Sequence, residues 1–284
     1  MSAVQPAHVV MFSTGLASYI AARRVIERHP GQRVVALFAD VKGHSASPHA
    51  GEDEDNYRFL AYASRDLTAD GADVVHLRGT EDVWGVFRRR RRIGSAQVAN
   101  CSHELKQKPA HAWLAEHCPQ PAATTVHIGI DWSEAHRIPA VERSYAPRPV
   151  GFPMTQPPYL DRHQMIQTCR GRGIEPPRLY GLGFPHANCG GFCVRAGHAQ
   201  FALLLRVMPD RYAYHEAREQ EMRDYLGTDV SILRDRRDGV TRPITLRAFR
   251  ERLQAADAGD RLALFDLDEW GGCGCFTADE VTVS

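Results

Sequence analysis

Along the first half of the chain, short continuous apolar runs alternate with longer stretches whose apolar residues recur every three or four positions. The runs His8–Phe12, Val34–Ala39, Asp73–Leu77 and Thr125–Ile130 predict β-strands, and Ala17–Arg28, Asp55–Leu67 and Pro109–Glu116 predict helices. In the first helix Leu16, Tyr19, Ala22 and Ile26 fall at helical spacing, which predicts a buried stripe with Arg23, Arg24 and Glu27 on the surface. Strands that are apolar throughout are expected where helices cover both faces of a parallel sheet. Right-handed crossovers then build an open α/β layer, with ligands outside the carboxyl ends of the strands.

The texture changes near Tyr145. Pro147, Pro149, Pro153, Pro157 and Pro158 interrupt any regular element and predict a linker or an extended covering segment. Asp161 is placed to cap a helix over Arg162–Arg170, and further helical patterns cover Ala199–Leu205, Tyr212–Tyr225 and Leu246–Ala255. The expected organisation is an α/β domain over residues 1–147 and a mainly helical, cysteine-rich region over 148–284.

Composition narrows the class without naming it. No apolar run approaches the roughly 20 residues that span a bilayer, and Met1–Ala7 lacks the basic and apolar regions of a secretion signal. No membrane association and a cytoplasmic location are the expectation. A net charge of +1 gives no global reason to expect nucleic acid, although Arg88–Arg92 places five arginines in a row. Such a run is ordinarily a solvated helix face or end, and in a functional role it would suit a polyphosphate or an RNA backbone.

Directly after the first strand stands Ser13-Thr14-Gly15-Leu16-Ala17-Ser18, followed by a helix. A small-residue turn there aims backbone N–H groups and the positive end of the helix dipole at one point, which is a phosphate-binding arrangement. Ser13, Thr14 and Ser18 add hydroxyls. The spacing is neither that of a Walker loop nor that of a dinucleotide-binding glycine fingerprint.

The hexapeptide resembles the Ser-Gly-Gly-x-Asp-Ser loop of the PP-loop ATP pyrophosphatases and, more loosely, the loop of the phosphoadenosine-phosphosulfate (PAPS) reductases. Thr14 stands where that loop usually has glycine, and Ala17 where the pyrophosphatases have aspartate. Phe38-Ala39-Asp40 ends the second strand, where this superfamily lies near the adenosine. Gly129-Ile130-Asp131-Trp132-Ser133-Glu134 is similar to the family's Gly-x-Arg-x-x-Glu-Ser segment bordering the nucleotide, with Asp131 in place of arginine and Arg137 available from a later position. Further likeness lies in Pro158-Tyr159-Leu160, in Leu179-Tyr180-Gly181-Leu182-Gly183-Phe184 before Cys189, and in the Cys101 to Lys108 segment. The resemblance spans about residues 8 to 195. It implies a Rossmann-like open parallel sheet of the adenine nucleotide alpha-hydrolase (HUP) type, with ATP or a related adenine nucleotide and Mg2+ as ligands. It also assigns nucleotide-binding roles to Ser13, Thr14, Gly15, Ser18, Asp40, Gly129, Asp131 and Glu134.

The chain has seven cysteines. Cys118 and Cys169 fall in helix-like stretches and read as ordinary buried residues, whereas the pairs Cys189/Cys193 and Cys273/Cys275 are spaced for metal or redox chemistry. In the iron–sulfur members of the family, two cysteines from each of two segments hold a four-iron cluster. Here the first segment supplies Cys101 alone and the second pair is Cys-x-x-x-Cys. Two allocations fit. Either Cys189, Cys193, Cys273 and Cys275 bind an iron–sulfur cluster or zinc and leave Cys101 free near the nucleotide as a candidate catalytic thiol, or Cys101, Cys189 and Cys193 hold a cluster with an open iron while the tail thiols act as a redox or nucleophilic pair. His103, His186 and His198 are further candidate ligands, and Lys106, Lys108 and Arg137 are candidates for charge stabilisation at the phosphates.

The leading expectation is an enzyme acting at the α-phosphate of an adenine nucleotide by adenylation, coupled to sulfur transfer. Its acceptor is left open between a tRNA base, a DNA base and a small metabolite. The alternatives are a sulfonucleotide reductase with a C-terminal cysteine nucleophile, and a non-catalytic nucleotide-binding module with structural zinc.

Overall fold

The structure is a computed structural model that describes residues 5–96, 98–236 and 239–257. Strands β1 (His8–Met11), β2 (Val34–Asp40), β3 (Asp73–Arg78), β4 (Thr125–Ile128) and β5 (Val150–Gly151) form one parallel sheet in the order β3-β2-β1-β4-β5. The chain leaves β1 toward β2 on one side and returns to place β4 on the other. This reversal beside β1 opens a crevice at the carboxyl ends of β1 and β4.

Alternation along the buried strands sorts side chains between two cores. Val10, Phe12, Ala36 and Phe38 face the layer of α1 (Leu16–Arg28), α2 (Glu54–Ala69) and, later in the chain, Met165 and Cys169. Val9, Met11, Val35 and Leu37 face the opposite layer, with Trp113, Leu114, Val141 and Tyr145. Because β1 is buried on both faces, its sequence carries no polar alternation.

Between β3 and β4 run α3 (Val83–Arg90), the short α4 (Asn100–Ser102), a π-helical turn over His103–Gln107, and α5 (Lys108–His117). After β4 come α6 (Ile138–Tyr145), α7 (Arg162–Gly171), α8 (Arg178–Gly181), α9 (His198–Val207) and α10 (Pro209–Leu226). A small antiparallel hairpin, β6 (Leu233–Asp235) with β7 (Arg242–Ile244), precedes α11 (Leu246–Asp257). Asp161 caps α7 in a reciprocal capping box with Gln164. Trp84, Phe87 and Ile93 share a third core with Phe184, Phe192, Leu204 and Phe249, and β5 joins the sheet from beyond Pro147, so both halves of the chain contribute to common layers. Among the described residues no helix is long and apolar enough to cross a membrane.

One expectation is corrected in α1. Arg23 and Arg24 are buried, not exposed. Arg23 donates to Asp66 at 2.9 Å and Asp70 at 2.5 Å. Arg24 donates to the carbonyls of Pro153 at 2.8 Å and Gln156 at 3.1 Å, and to that of Pro158. A guanidinium is buried at tolerable cost when its fixed fork of donors is satisfied in this way. Helical periodicity marks such a residue as polar and cannot register that a later segment folds over it.

Candidate functional site

The crevice at the β1/β4 reversal is a cavity of about 460 Å3. Its floor is the turn after β1. Gly15 is the N-cap of α1 in extended conformation and offers no side-chain cap, so the first-turn amides that follow lack an intrahelical acceptor. Two loop amides already have partners: Ser13 N–H donates to Ser18 Oγ at 3.1 Å, and Leu16 N–H to the Tyr180 hydroxyl at 3.1 Å. Ala17 and Ser18 follow on the same cavity wall.

Opposite this turn, β4 is followed directly by Gly129, against which the first turn of α1 is pressed. A Cβ at position 129 would stand 2.8 Å from Ser18 Cα and 2.9 Å from its backbone nitrogen. Asp131 caps the following 3-10 turn by accepting Ser133 N–H at 2.8 Å, and Glu134 pairs with Arg137 at 2.5 Å. Ser13, Gly15, Ser18, Gly129, Asp131, Glu134 and Arg137 all line the cavity. Two expected members stand elsewhere. Thr14 is fully buried at φ 60°, its hydroxyl donating to the Ser13 carbonyl at 2.6 Å and accepting from Asn56 at 3.4 Å. Asp40 accepts from the Tyr57 hydroxyl at 2.7 Å and the Lys42 amide at 3.0 Å, outside the cavity lining.

The far wall comes from the second half of the chain. Asp161 and Arg162 open α7, Tyr180 comes from the short α8, and His186 and Asn188 lie in the loop that leads to the cysteine pair. Burial, with the positive charges of Lys106, Arg137 and Arg162, pushes the His186 imidazole down to about 4, so it is neutral at pH 7. Its buried Nδ1 has no hydrogen-bond partner among the described residues. Trp132, about half exposed, stands at the mouth with its ring edge-to-face to Tyr159 at 6.4 Å. The sequence marked Asp161 only as a helix cap, and offered no signal for Arg162, Trp132 or Asn188. Their roles arise from tertiary placement.

The thiols gather in an adjoining place. Cys101, Cys189 and Cys193 line a smaller, mainly apolar cavity of about 40 Å3 together with Lys106. Lys106, turned inward by the π-helical stretch, lies 3.4 Å from Glu52 and 3.8 Å from Cys189 Sγ. Such π-helical stretches are frequent at functional sites. Cys189 and the two glycines after it all take positive φ. A side chain at Gly190 would collide with the guanidinium of Arg211, so the tight turn that presents Cys189 requires glycine there. Lys108 is exposed and 3.8 Å from Glu104, His103 is exposed, and His198 is buried near Phe249 at the start of α9. Cys118 and Cys169 are both buried, as their helix-like contexts suggested.

Among the described residues no three histidine, cysteine or carboxylate side chains are grouped to hold a metal ion. Cys273 and Cys275 lie outside the described residues.

The chain matches no protein-family model and no curated protein. The chemistry open to the cavity is therefore set by its own residues: a helix N-terminus without a side-chain cap, two guanidiniums, three carboxylates and a neutral imidazole around one space.

Proposed function

We propose that this chain is an adenine-nucleotide enzyme that holds the nucleotide's phosphates at the N-terminus of α1 and acts at the α-phosphate. One observation carries the reading: the uncapped first turn of α1 opens onto a cavity at the strand-order reversal, with Gly129 leaving the backbone bare on the other side. Fixed N–H dipoles at that position stabilise phosphoryl oxygens without reorganising. Adenine specificity and α-phosphate chemistry rest on the resemblance of the turn and of the β4 end to the PP-loop enzymes.

In this reading Arg137 and Arg162 neutralise charge that develops on the phosphate oxygens. An acceptor nucleophile attacks the α-phosphorus, the bond to the bridging oxygen breaks, and pyrophosphate leaves. The nucleophile's proton leaves to solvent, because burial and the charges of Lys106, Arg137 and Arg162 keep His186 neutral and make it a weak base, suited to a hydrogen bond with the nucleophile and not to taking up its proton. Asp131 and Glu134 offer oxygen ligands of the kind Mg2+ takes, and the ion would neutralise the leaving pyrophosphate. The neighbouring thiol cavity supports an extension to sulfur transfer, since Cys189 follows His186 and Asn188 in one short loop.

The test is incubation with ATP and Mg2+, with and without candidate acceptors, while pyrophosphate and AMP are followed. Pyrophosphate release supports the reading. Sulfite from PAPS or adenylyl sulfate would replace it with the reductase alternative, and binding without any turnover would leave a nucleotide-binding module. Iron, sulfide and zinc analysis of anaerobically purified full-length protein tests the metal centre separately.

A further inference from the structure

The five-arginine run is divided by the fold into two uses. Arg89 pairs with Glu81 at 2.9 Å and with Glu104 at 3.1 Å, and Arg90 also pairs with Glu104. Those two are neutralised locally. Arg88 and Arg91 instead lie over the ring of Tyr225 on α10, at 4.4 and 5.2 Å from its centroid, and Arg91 also donates to the Tyr225 hydroxyl at 3.3 Å. Cation–π contact of this kind fixes the guanidiniums without cancelling their charge.

Arg91 ends α3 in the left-handed conformation, at φ 50°. The chain turns sharply there, and Arg91 and Arg92 enter a surface hollow of about 310 Å3 together with Arg234 from β6. Ile93, Leu226 and Val230 supply apolar walls, and Thr228 adds a hydroxyl. Among the described residues no carboxylate lines this hollow. Arg92 is exposed and makes no ion pair among the described residues. In a chain whose net charge is only +1, three guanidiniums around one concavity are a local concentration, not a reflection of bulk composition.

From this arrangement we propose that the Arg91–Arg92–Arg234 hollow, with Tyr225 holding Arg88 and Arg91 in position, binds the backbone of a single-stranded nucleic acid. Three cations around one concavity supply affinity for backbone phosphates, while apolar walls and flat guanidinium planes receive an unstacked base. A duplex keeps its bases stacked and would use only the charges. Tyr225 is a positioning residue here. None of the residues lining the hollow lines the nucleotide cavity, so the two sites are separate.

The experiment follows fluorescence anisotropy of labelled dT12, rU12 and a 12-base-pair duplex titrated with the full-length chain at several salt concentrations. Single strands are expected to bind, with log K falling against log salt at a slope of about −2, as three neutralised phosphates on a single strand require. The Arg92→Ala/Arg234→Ala double variant is expected to bring that slope to about −0.7 and weaken binding by at least about tenfold at low salt. Preference between dT12 and rU12 distinguishes DNA from RNA as the source of the backbone. Arg91→Gly serves as a second variant, since glycine suits the left-handed turn and should not impair folding. It is expected to weaken binding as well. Failure of dT12 and rU12 to bind at low salt would overturn the proposal. So would unchanged binding by the double variant, or equally tight binding of the duplex. ATP affinity, measured on the same variants, is expected to be unchanged, which separates this inference from the nucleotide site.

Discussion

The hydroxyl of Tyr180 accepts the amide hydrogen of Leu16 at 3.1 Å, joining residues 164 positions apart. Through this contact the second half of the chain reaches the turn after β1, and an oxygen occupies one of the amides on which phosphate would dock. Burial pushes the Tyr180 phenol up to about 12, so the acceptor is the neutral hydroxyl. Tyr180→Phe keeps the ring and releases the Leu16 amide. The expected result is a loss of about 1 kcal/mol in stability, with ATP binding retained or tightened by a few fold. Denaturant unfolding and calorimetric titration read the two effects. Loss of nucleotide binding in this variant would mean that the hydroxyl contacts ligand directly.

Gly129 separates strand from helix by the thickness of a hydrogen. With a Cβ at 2.8 Å from Ser18 Cα, Gly129→Ala forces the first turn of α1 away from the strand. Backbone cannot yield as a flexible side chain would, so a cost of about 1–3 kcal/mol in stability is expected. Weakened nucleotide binding should accompany it. Thermal unfolding and titration on one preparation check both, and an unchanged melting temperature would show that the contact is looser than the geometry indicates.

Arg24 fastens the 153–158 segment to α1 through three carbonyl oxygens, and that segment leads into the Leu160–Arg162 side of the cavity. Arg24→Met keeps much of the volume and removes the donors. Leaving buried carbonyls without partners should cost about 2–4 kcal/mol. Arg24→Lys is not expected to restore it, because one ammonium cannot span the positions met by a planar fork. Equal stability of the methionine variant and wild type in urea would refute this role.

Acid should destabilise the sheet from its amino-terminal end. His8 Nδ1 and His127 Nε2 are 3.0 Å apart, and His8 stacks on His29 with ring centroids at 3.9 Å. Burial, with the charges of His8, His29 and Arg28, pushes His127 down to about 3, and burial also lowers His8. Both folded-state values lie below that of an unfolded histidine, so the unfolded chain binds more protons below about pH 6.5. Stability therefore falls as the pH drops from about 6.5 toward 3, with His127 contributing a slope approaching about 1.4 kcal/mol per pH unit. Urea unfolding at pH 7, 6 and 5 reads the slope. A His127→Gln variant should show a shallower dependence, and identical slopes would contradict the assignment.

Much of the sheet was legible because β1 and β2 are buried on both faces and read as unbroken apolar runs. β5, with two residues, and the β6–β7 hairpin, with three residues per strand, are too short to show a period. The turn after β1 was visible as a run of small residues between a strand and a helix, but that it lines a cavity follows only from the strand order, which puts β4 beside β1. Thr14 illustrates the limit. Its place matches a glycine in the resembling loop, and its φ of 60° shows what that glycine supplies, but its inward-facing hydroxyl depends on Asn56, 42 positions away. Lys106 and Lys108 likewise stand only two positions apart, yet a π-helical turn buries one against Glu52 and leaves the other in solvent. No local pattern distinguishes them.

The central claim, that the N-terminus of α1 receives a nucleotide's phosphates, is tested most directly by titrating ATP into wild type and Gly15→Asp. Gly15 has an extended backbone that any residue adopts, and aspartate is among the preferred N-caps, so its carboxylate should bind the free first-turn amides and preserve or raise stability. Occupied amides and a fixed negative charge should then weaken ATP and pyrophosphate binding by more than about tenfold, while the melting temperature holds. A stably folded Gly15→Asp protein that binds ATP as wild type does, or a wild-type protein that binds neither ligand, would contradict it.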